Sequence, residues 1–216
     1  MPVVADPVPF TIAFAEGVTL TRWTGAWAAR HRSIPLSFVP TELADQVTVL
    51  HGGLADVSFV RLPVDRTGLS VIPLYRESPV VVVAKEHPIA LFETVTLADL
   101  SAEERVPDFL SSQDAVELAA AGGGIVILPQ SLARLHARKD IVVRPVTDAA
   151  ETTIALAWLE ERTTAEIEEF IGIVRGRTAA SSRATPTPPS AKVTKRAKPL
   201  PKSAMPRQRP RKPRGR

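Results

Sequence analysis

The sequence predicts a mixed α/β fold, on three observations. Apolar runs of strand length alternate with segments of helical periodicity from Phe10 to Arg177. The first five elements read β-α-β-α-β with short turns, which argues for parallel strands joined by right-handed crossovers. Charge then marks where folding stops. The 216 residues carry a formal net charge of +4, yet residues 178–216 hold twelve Lys/Arg and no acid, whereas residues 1–177 hold 15 basic and 23 acidic residues. An acidic globule precedes a basic tail.

Phe10–Ala15 (FTIAFA) predicts a buried strand. Leu20, Trp23 and Trp27 then fall at i, i+3 and i+7, one face of a helix that puts both tryptophans in the core. Pro35–Val39 is strand-like and Pro40 ends it. Thr41 can cap a helix whose Leu43, Val47, Leu50 and Leu54 follow i, i+4, i+7 and i+11. Gly52-Gly53 stop that helix, and Asp56–Arg61 (DVSFVR) gives a third strand. Leu69–Tyr75 and Pro79–Ala84 follow as strands. Val80-Val81-Val82-Val83 has no polar side and predicts burial on both faces.

Ser111 and Asp114 are spaced as a capping box for a helix over Ser112–Ala121, which Gly122-Gly123-Gly124 terminate. Ile125–Leu128 is an apolar strand, and Pro129 suits the first turn of a short helix through Ala137. Ile141–Val146 and Thr153–Trp158 supply two more strands. In the last helix Thr163 and Glu166 form a capping box, with Ile167, Phe170, Ile171 and Val174 as the apolar stripe. Beyond Arg177 come eight prolines and no aromatic residue, too little apolar surface to offset ordering entropy, so the tail is expected to be disordered.

Several classes of function lose support. With no cysteine there are no disulfides, thiolate metal sites or cysteine nucleophiles. No apolar run approaches the roughly 18 residues of a membrane helix. The N-terminus lacks the basic start and apolar core of a secretory signal, so a cytoplasmic location is expected. His31, His51, His87 and His136 show no metal-binding spacing, no GxSxG elbow occurs, and Ser58 falls inside a buried strand. The Glu-rich segments 103–104 and 166–169 read as solvated helix faces. An enzyme is not expected, nor any cofactor.

In open α/β sheets a ligand lies beyond the carboxyl ends of strands where strand order reverses. That places a site at Ala15–Thr19 and at Val60–Pro63, with Glu16, Gly17, Val18, Thr19, Arg61 and Leu62 as candidates. Gly17-Val18-Thr19 would open a helix whose free N–H groups favour a carboxylate. Thr19 and Thr41 could each add a hydroxyl, and Arg61 could pair with the ligand's charge. The same threonines could serve as N-caps, and Arg61 could form only a surface ion pair. Glu16 would repel an anion.

The residues FTIAFAEGVTLTRW (Phe10–Trp23), AWAARHRSIPLSFVP (Ala26–Pro40), LHGGLADVSFVR (Leu50–Arg61), GLSVIPLYRESPVVVVAKEHPIA (Gly68–Ala90), LADL (Leu97–Leu100) and AAGGGIVILPQSLARL (Ala120–Leu135) carry a resemblance. In their order and spacing, residues 10–177 resemble the effector-binding domain of LysR-type transcriptional regulators. The resemblance implies a type 2 periplasmic-binding-protein fold, with two α/β subdomains around a cleft. Subdomain I would span about 10–84 plus 160–177 and subdomain II about 85–159, with Gly122 and Gly123 on the far side of the cleft. It also implies a small-molecule effector and a homodimer. Only nine residues precede the first strand, so the winged helix-turn-helix and linker helix of full-length members are expected to be missing. The stretch from Ala102 to Gly122 is shorter than the family pattern, which implies a reduced second subdomain.

The tail can neutralise phosphates but cannot stack bases. Arg207, Arg209, Arg211, Lys212, Arg214, Gly215 and Arg216 are its candidate nucleic-acid contacts. Arg214-Gly215-Arg216 resembles the core of an AT-hook, in which arginines enter the narrow minor groove of A·T-rich DNA. The following proline of that motif is absent, and a nonspecific polybasic tail fits equally. Three readings result: a LysR-like sensor of a small anionic metabolite, an accessory or nucleoid-associated DNA-binding protein, and a degenerate protein-interaction domain.

Overall fold

The computed structural model describes residues 8–176. Eight strands form two sheets. The first sheet contains β1 (Phe10–Ala15), β2 (Leu36–Thr41), β3 (Val57–Leu62), β4 (Leu69–Glu77) and β8 (Thr152–Leu159) in the order β2-β1-β3-β8-β4. The second contains β5 (Pro79–Ala84), β6 (Val126–Pro129) and β7 (Ile141–Pro145) in the order β6-β5-β7. The helices are α1 (Thr21–Arg30), α2 (Thr48–His51), α3 (Ser112–Ala120), α4 (Gln130–Leu135) and α5 (Ala165–Val174).

The expected parallel sheet holds for the first three strands only. β1 pairs parallel with β2 and with β3, but β8 runs antiparallel to β3 and β4, and β5 antiparallel to β6 and β7. The chain leaves the first sheet at Ser78 and returns to it with β8. Pro79–Ala84 therefore belongs to the second sheet and Thr152–Leu159 to the first, which moves both expected subdomain boundaries.

Aromatic packing holds one face of the larger sheet. Trp27 stacks on Phe10 at 4.6 Å and Trp23 on Phe59 at 4.7 Å, while Phe170 of α5 meets Phe10 and Phe59. Val49 and Leu50 of α2 pack on the other face, with Ala13, Val60 and Ala157. In the smaller sheet Val81 and Val83 enter one cluster and Val80 and Val82 the opposite one, so β5 is buried on both sides as its run of valines predicts. Burying a valine fully is worth roughly 1.5–3 kcal/mol, which makes this strand the anchor of the second sheet.

Three local expectations change. β2 runs through Pro40 to Thr41, because β2 is an edge strand and its outer side needs no donor. The helix expected from Thr41 is a single turn, Thr48–His51, and Leu43 and Leu54 are exposed rather than core. The N-cap of α5 is Thr164, which accepts from Ile167 N at 3.3 Å; Thr163 Oγ1 instead accepts from the Trp158 indole N–H at 3.1 Å.

Candidate functional site

A cleft of about 1470 Å³ separates the two sheets' loops. One wall is built by the turn after β1, the end of β2 and the end of β3, which supply Glu16–Thr19, Thr41 and Arg61. The other is built by Asp108–Gln113, leading into α3, and by Ser131–Leu135 of α4. The ends of the parallel strands β1, β2 and β3 thus face the second half, where strand order predicts a ligand.

Arg61 is buried, with 5% exposure, and so is Glu77 at the end of β4. Arg61 Nε donates to Glu77 Oε2 at 2.8 Å, and Nη2 donates to the Glu16 carbonyl at 3.0 Å and to Ser131 Oγ at 3.3 Å. The ion pair expected at the surface is therefore internal, and it ties three chain segments together. Gln46 fixes the same strand end, accepting from Arg61 N at 2.8 Å and donating to its carbonyl at 3.0 Å. Arg61 Nη1 has no hydrogen-bond partner, nor does Thr41 Oγ1, although Thr41 is only 9% exposed. Among the described residues the one other buried orphan is His31 Nε2, which lies beside Trp27 and 3.8 Å from Glu169 Oε1.

A second junction crosses the cleft. Ser112 Oγ donates to Glu16 Oε2 at 2.5 Å, and His136 Nε2 lies 2.9 Å from Glu16 Oε1 and 3.0 Å from Ser112 Oγ. Serine and glutamate share one ring nitrogen. A hydrolytic triad needs the acid on Nδ1 and the serine on Nε2, so this cluster holds the two halves together rather than activating a nucleophile. Gly17 explains how closely they approach: its φ is +82°, and a Cβ there would lie 2.9 Å from Ser131 Oγ.

The cleft gathers Glu16, Gly17, Val18, Thr19, Thr41 and Arg61. It does not include Leu62, Gly122 or Gly123. Leu62, the last residue of β3, packs against the core cluster of Ala13, Val49 and Val60 and does not line the cleft. Gly122 N bonds Ala119 O and Gly123 N bonds Leu118 O, the two bonds of a Schellman cap, so these glycines terminate α3 at the end opposite the cleft. Glu16–Gly17 form a turn, closed by Val18 N donating to Ala15 O, instead of Gly17–Thr19 opening a helix, and α1 starts at Thr21 after an uncapped Leu20. Neither Thr19 nor Thr41 is an N-cap. Arg207 to Arg216, including Arg209, Arg211, Lys212, Arg214 and Gly215, lie outside the described residues.

Sequence reasoning missed Glu77, Ser112, Ser131 and His136. The capping box at Ser111 located the α3 terminus; nothing in the spacing placed it opposite Glu16. Among the described residues no three metal-ligating side chains cluster, and no helix is long and apolar enough to cross a membrane.

Two sheets around a cleft, with buried polar groups at the strand ends, define a ligand-binding α/β domain. The family model for the LysR substrate binding domain matches residues 10–107 and 104–179, most of the chain. The chain belongs to that family, the effector-binding domains of LysR-type transcriptional regulators, which are regulatory rather than enzymatic. Solved structures share the fold. The BenM effector binding domain with its effector benzoate is 21% identical, with 82% of this chain and 95% of that chain covered and a TM-score of 0.66. Full-length CbnR complexed with its target DNA is 18% identical, with 77% and 70% covered and a TM-score of 0.65. OxyR of Corynebacterium glutamicum, a C206 mutant, is 20% identical, with 80% and 65% covered and a TM-score of 0.65. The search of curated proteins returned no match.

Proposed function

We infer that this chain senses a small carboxylate-bearing metabolite in the cleft and acts in transcriptional regulation. The observation that carries the reading is the pair of buried polar atoms without partners, Arg61 Nη1 and Thr41 Oγ1, in the wall of one cleft. A buried donor left unpaired costs about 1–3 kcal/mol, and a ligand oxygen that accepts from both recovers that. Ligand bound at Arg61 and Thr41 touches one half of the molecule, and Ser112, Ser131 and Arg134 line the other, so occupancy bears on how the halves sit.

Thr41→Val tests this directly, since it removes the hydroxyl and keeps the branched shape. Unliganded Thr41→Val should melt no lower than the parent. In a thermal-shift panel of small mono- and dicarboxylates, any ligand that stabilises the parent should bind the variant about 5- to 10-fold more weakly, the worth of one hydrogen bond. A panel that shifts neither protein, or both equally, removes the site.

The charge division supports a second activity alongside the first. Residues 178–216 carry twelve basic residues against none acidic, and a preceding unit of opposite sign cannot itself attract polyanions. The tail then supplies DNA affinity. A chain ending at Arg177 should lose duplex binding; equal binding by the shortened and full chains rejects the idea.

A further inference from the structure

Arg61 does not make the cleft positive. Its charge is matched by Glu77 at 2.8 Å, with both side chains buried, so what it offers a ligand is a directed N–H rather than a net field. The other charged residues lining the cleft are Glu16, Glu42 and Asp108 against Arg134. Three carboxylates outnumber one guanidinium. A ligand bearing only negative charge meets like charge on entry, whereas one bearing an ammonium group beside its carboxylate meets both signs.

Glu16 is the acid built to take that ammonium group. Its backbone carbonyl accepts from Arg61 Nη2 at 3.0 Å, which puts Glu16 next to the guanidinium in space. Ser112 and His136 hold its carboxylate from across the cleft, so it is positioned before any ligand arrives. At 43% side-chain exposure its remaining lone pairs stay open, since a carboxylate offers about four acceptor sites. The rim is apolar: Leu43, Phe109 and Leu135 line the cleft and are all exposed, Phe109 at 85%.

We propose that the ligand is a zwitterion with an apolar body, an amino-acid-like molecule whose carboxylate meets Arg61 Nη1 and Thr41 Oγ1 and whose ammonium group meets Glu16. The proposal rests on the cleft reading above and narrows it. Adjacent carbons carry the two charges of an amino acid, so a carboxylate seated at Arg61 delivers the ammonium group to the residues around Arg61. The apolar side chain then points toward the Phe109 rim.

Three probes with one shared body separate the charges: L-phenylalanine, 3-phenylpropanoate and 2-phenylethylamine, titrated calorimetrically into the full chain. L-phenylalanine should bind at least about tenfold more tightly than either relative, the worth of one charge-assisted hydrogen bond. Glu16→Gln should shrink the gap between L-phenylalanine and 3-phenylpropanoate to within about threefold, because it keeps the shape and loses the charge. Equal binding of L-phenylalanine and 3-phenylpropanoate by the parent overturns the zwitterion and leaves the carboxylate cleft standing. A gap that survives Glu16→Gln overturns the role of Glu16. No heat from any probe overturns the proposal, while the carboxylate panel judges the cleft independently. The parent comparison decides whether or not the variant folds.

Discussion

Arg61 is structural as well as the proposed carboxylate contact, which determines how the site can be probed. Removing one partner of a buried pair such as Arg61–Glu77 leaves an uncompensated charge and costs about 3–5 kcal/mol. Loss of binding in an Arg61 variant would therefore report unfolding as readily as recognition. Thr41 lacks that entanglement, since its hydroxyl bonds nothing in the unliganded protein. Tyr75 reports on the same neighbourhood without mutation. Burial raises its phenol above the ordinary value of 10.0, the charge of Glu77 adds to the rise, and Arg61 opposes it. The raised folded value means that its contribution to stability is complete below the unfolded pKa and is lost as pH rises through the folded pKa. Tyr75 is the only tyrosine in the chain. Absorbance at about 295 nm should show a phenolate titration displaced upward in the folded protein, returning to ordinary phenol behaviour in concentrated urea. Tyr75 keeps 38% of its surface exposed, so the displacement should be modest, and coincident curves would contradict the partial desolvation of its phenol.

At the scale of elements, caps separate what composition specifies from what packing selects. Two adjacent threonines can begin α5, and the spacing to Glu166 favours Thr163 as cap. The indole of Trp158 claims Thr163 instead, leaving the cap to Thr164. Thr164→Ala should lower stability by about 1 kcal/mol in urea unfolding and leave tryptophan fluorescence unchanged. Thr163→Ala should alter that fluorescence, because it strips the indole N–H of its acceptor. The reverse pattern would restore Thr163 as the cap. The expected long α2 failed for a related reason. Its apolar positions follow helical spacing, but only Val47, Val49 and Leu50 reach the core, and a helix without a buried face has little to stabilise it.

At the scale of the molecule, both functional readings depend on a division of labour along the chain. The cleft forms where loops from two sheets meet, locked by Gly17 against Ser131 and by Glu16 against Ser112 and His136. A ligand shifts the balance between two arrangements of such a junction only if it bonds one better than the other. Twelve of the basic residues follow the cleft domain in the sequence. Each tail cation that meets a duplex phosphate adds about −0.9 to the slope of log K against log salt, so binding should weaken steeply as salt rises. A flat salt dependence would rule out phosphate contact as its basis. Family membership covers the cleft domain alone. The chain spans 70% of the CbnR chain and 65% of the OxyR chain.

Local chemistry in the sequence determined most of the elements. Period-2 and period-3.6 patterns, the valine run of β5 and the glycines after α3 located all eight strands within two residues of their limits. Strand-order physics also placed the turn after β1 and the end of β3 at the site, so Glu16, Gly17, Thr19 and Arg61 were legible. Everything that depended on partners distant in the chain was decided by the tertiary structure. Glu77 lies 16 residues from Arg61, and Ser112 and His136 lie 96 and 120 residues from Glu16. Periodicity reports which face of an element is buried and carries no record of what that face meets. Only the folded chain therefore turned Arg61 from a surface cation into a neutralised buried donor, and Glu16 from an obstacle to anions into a positioned acceptor.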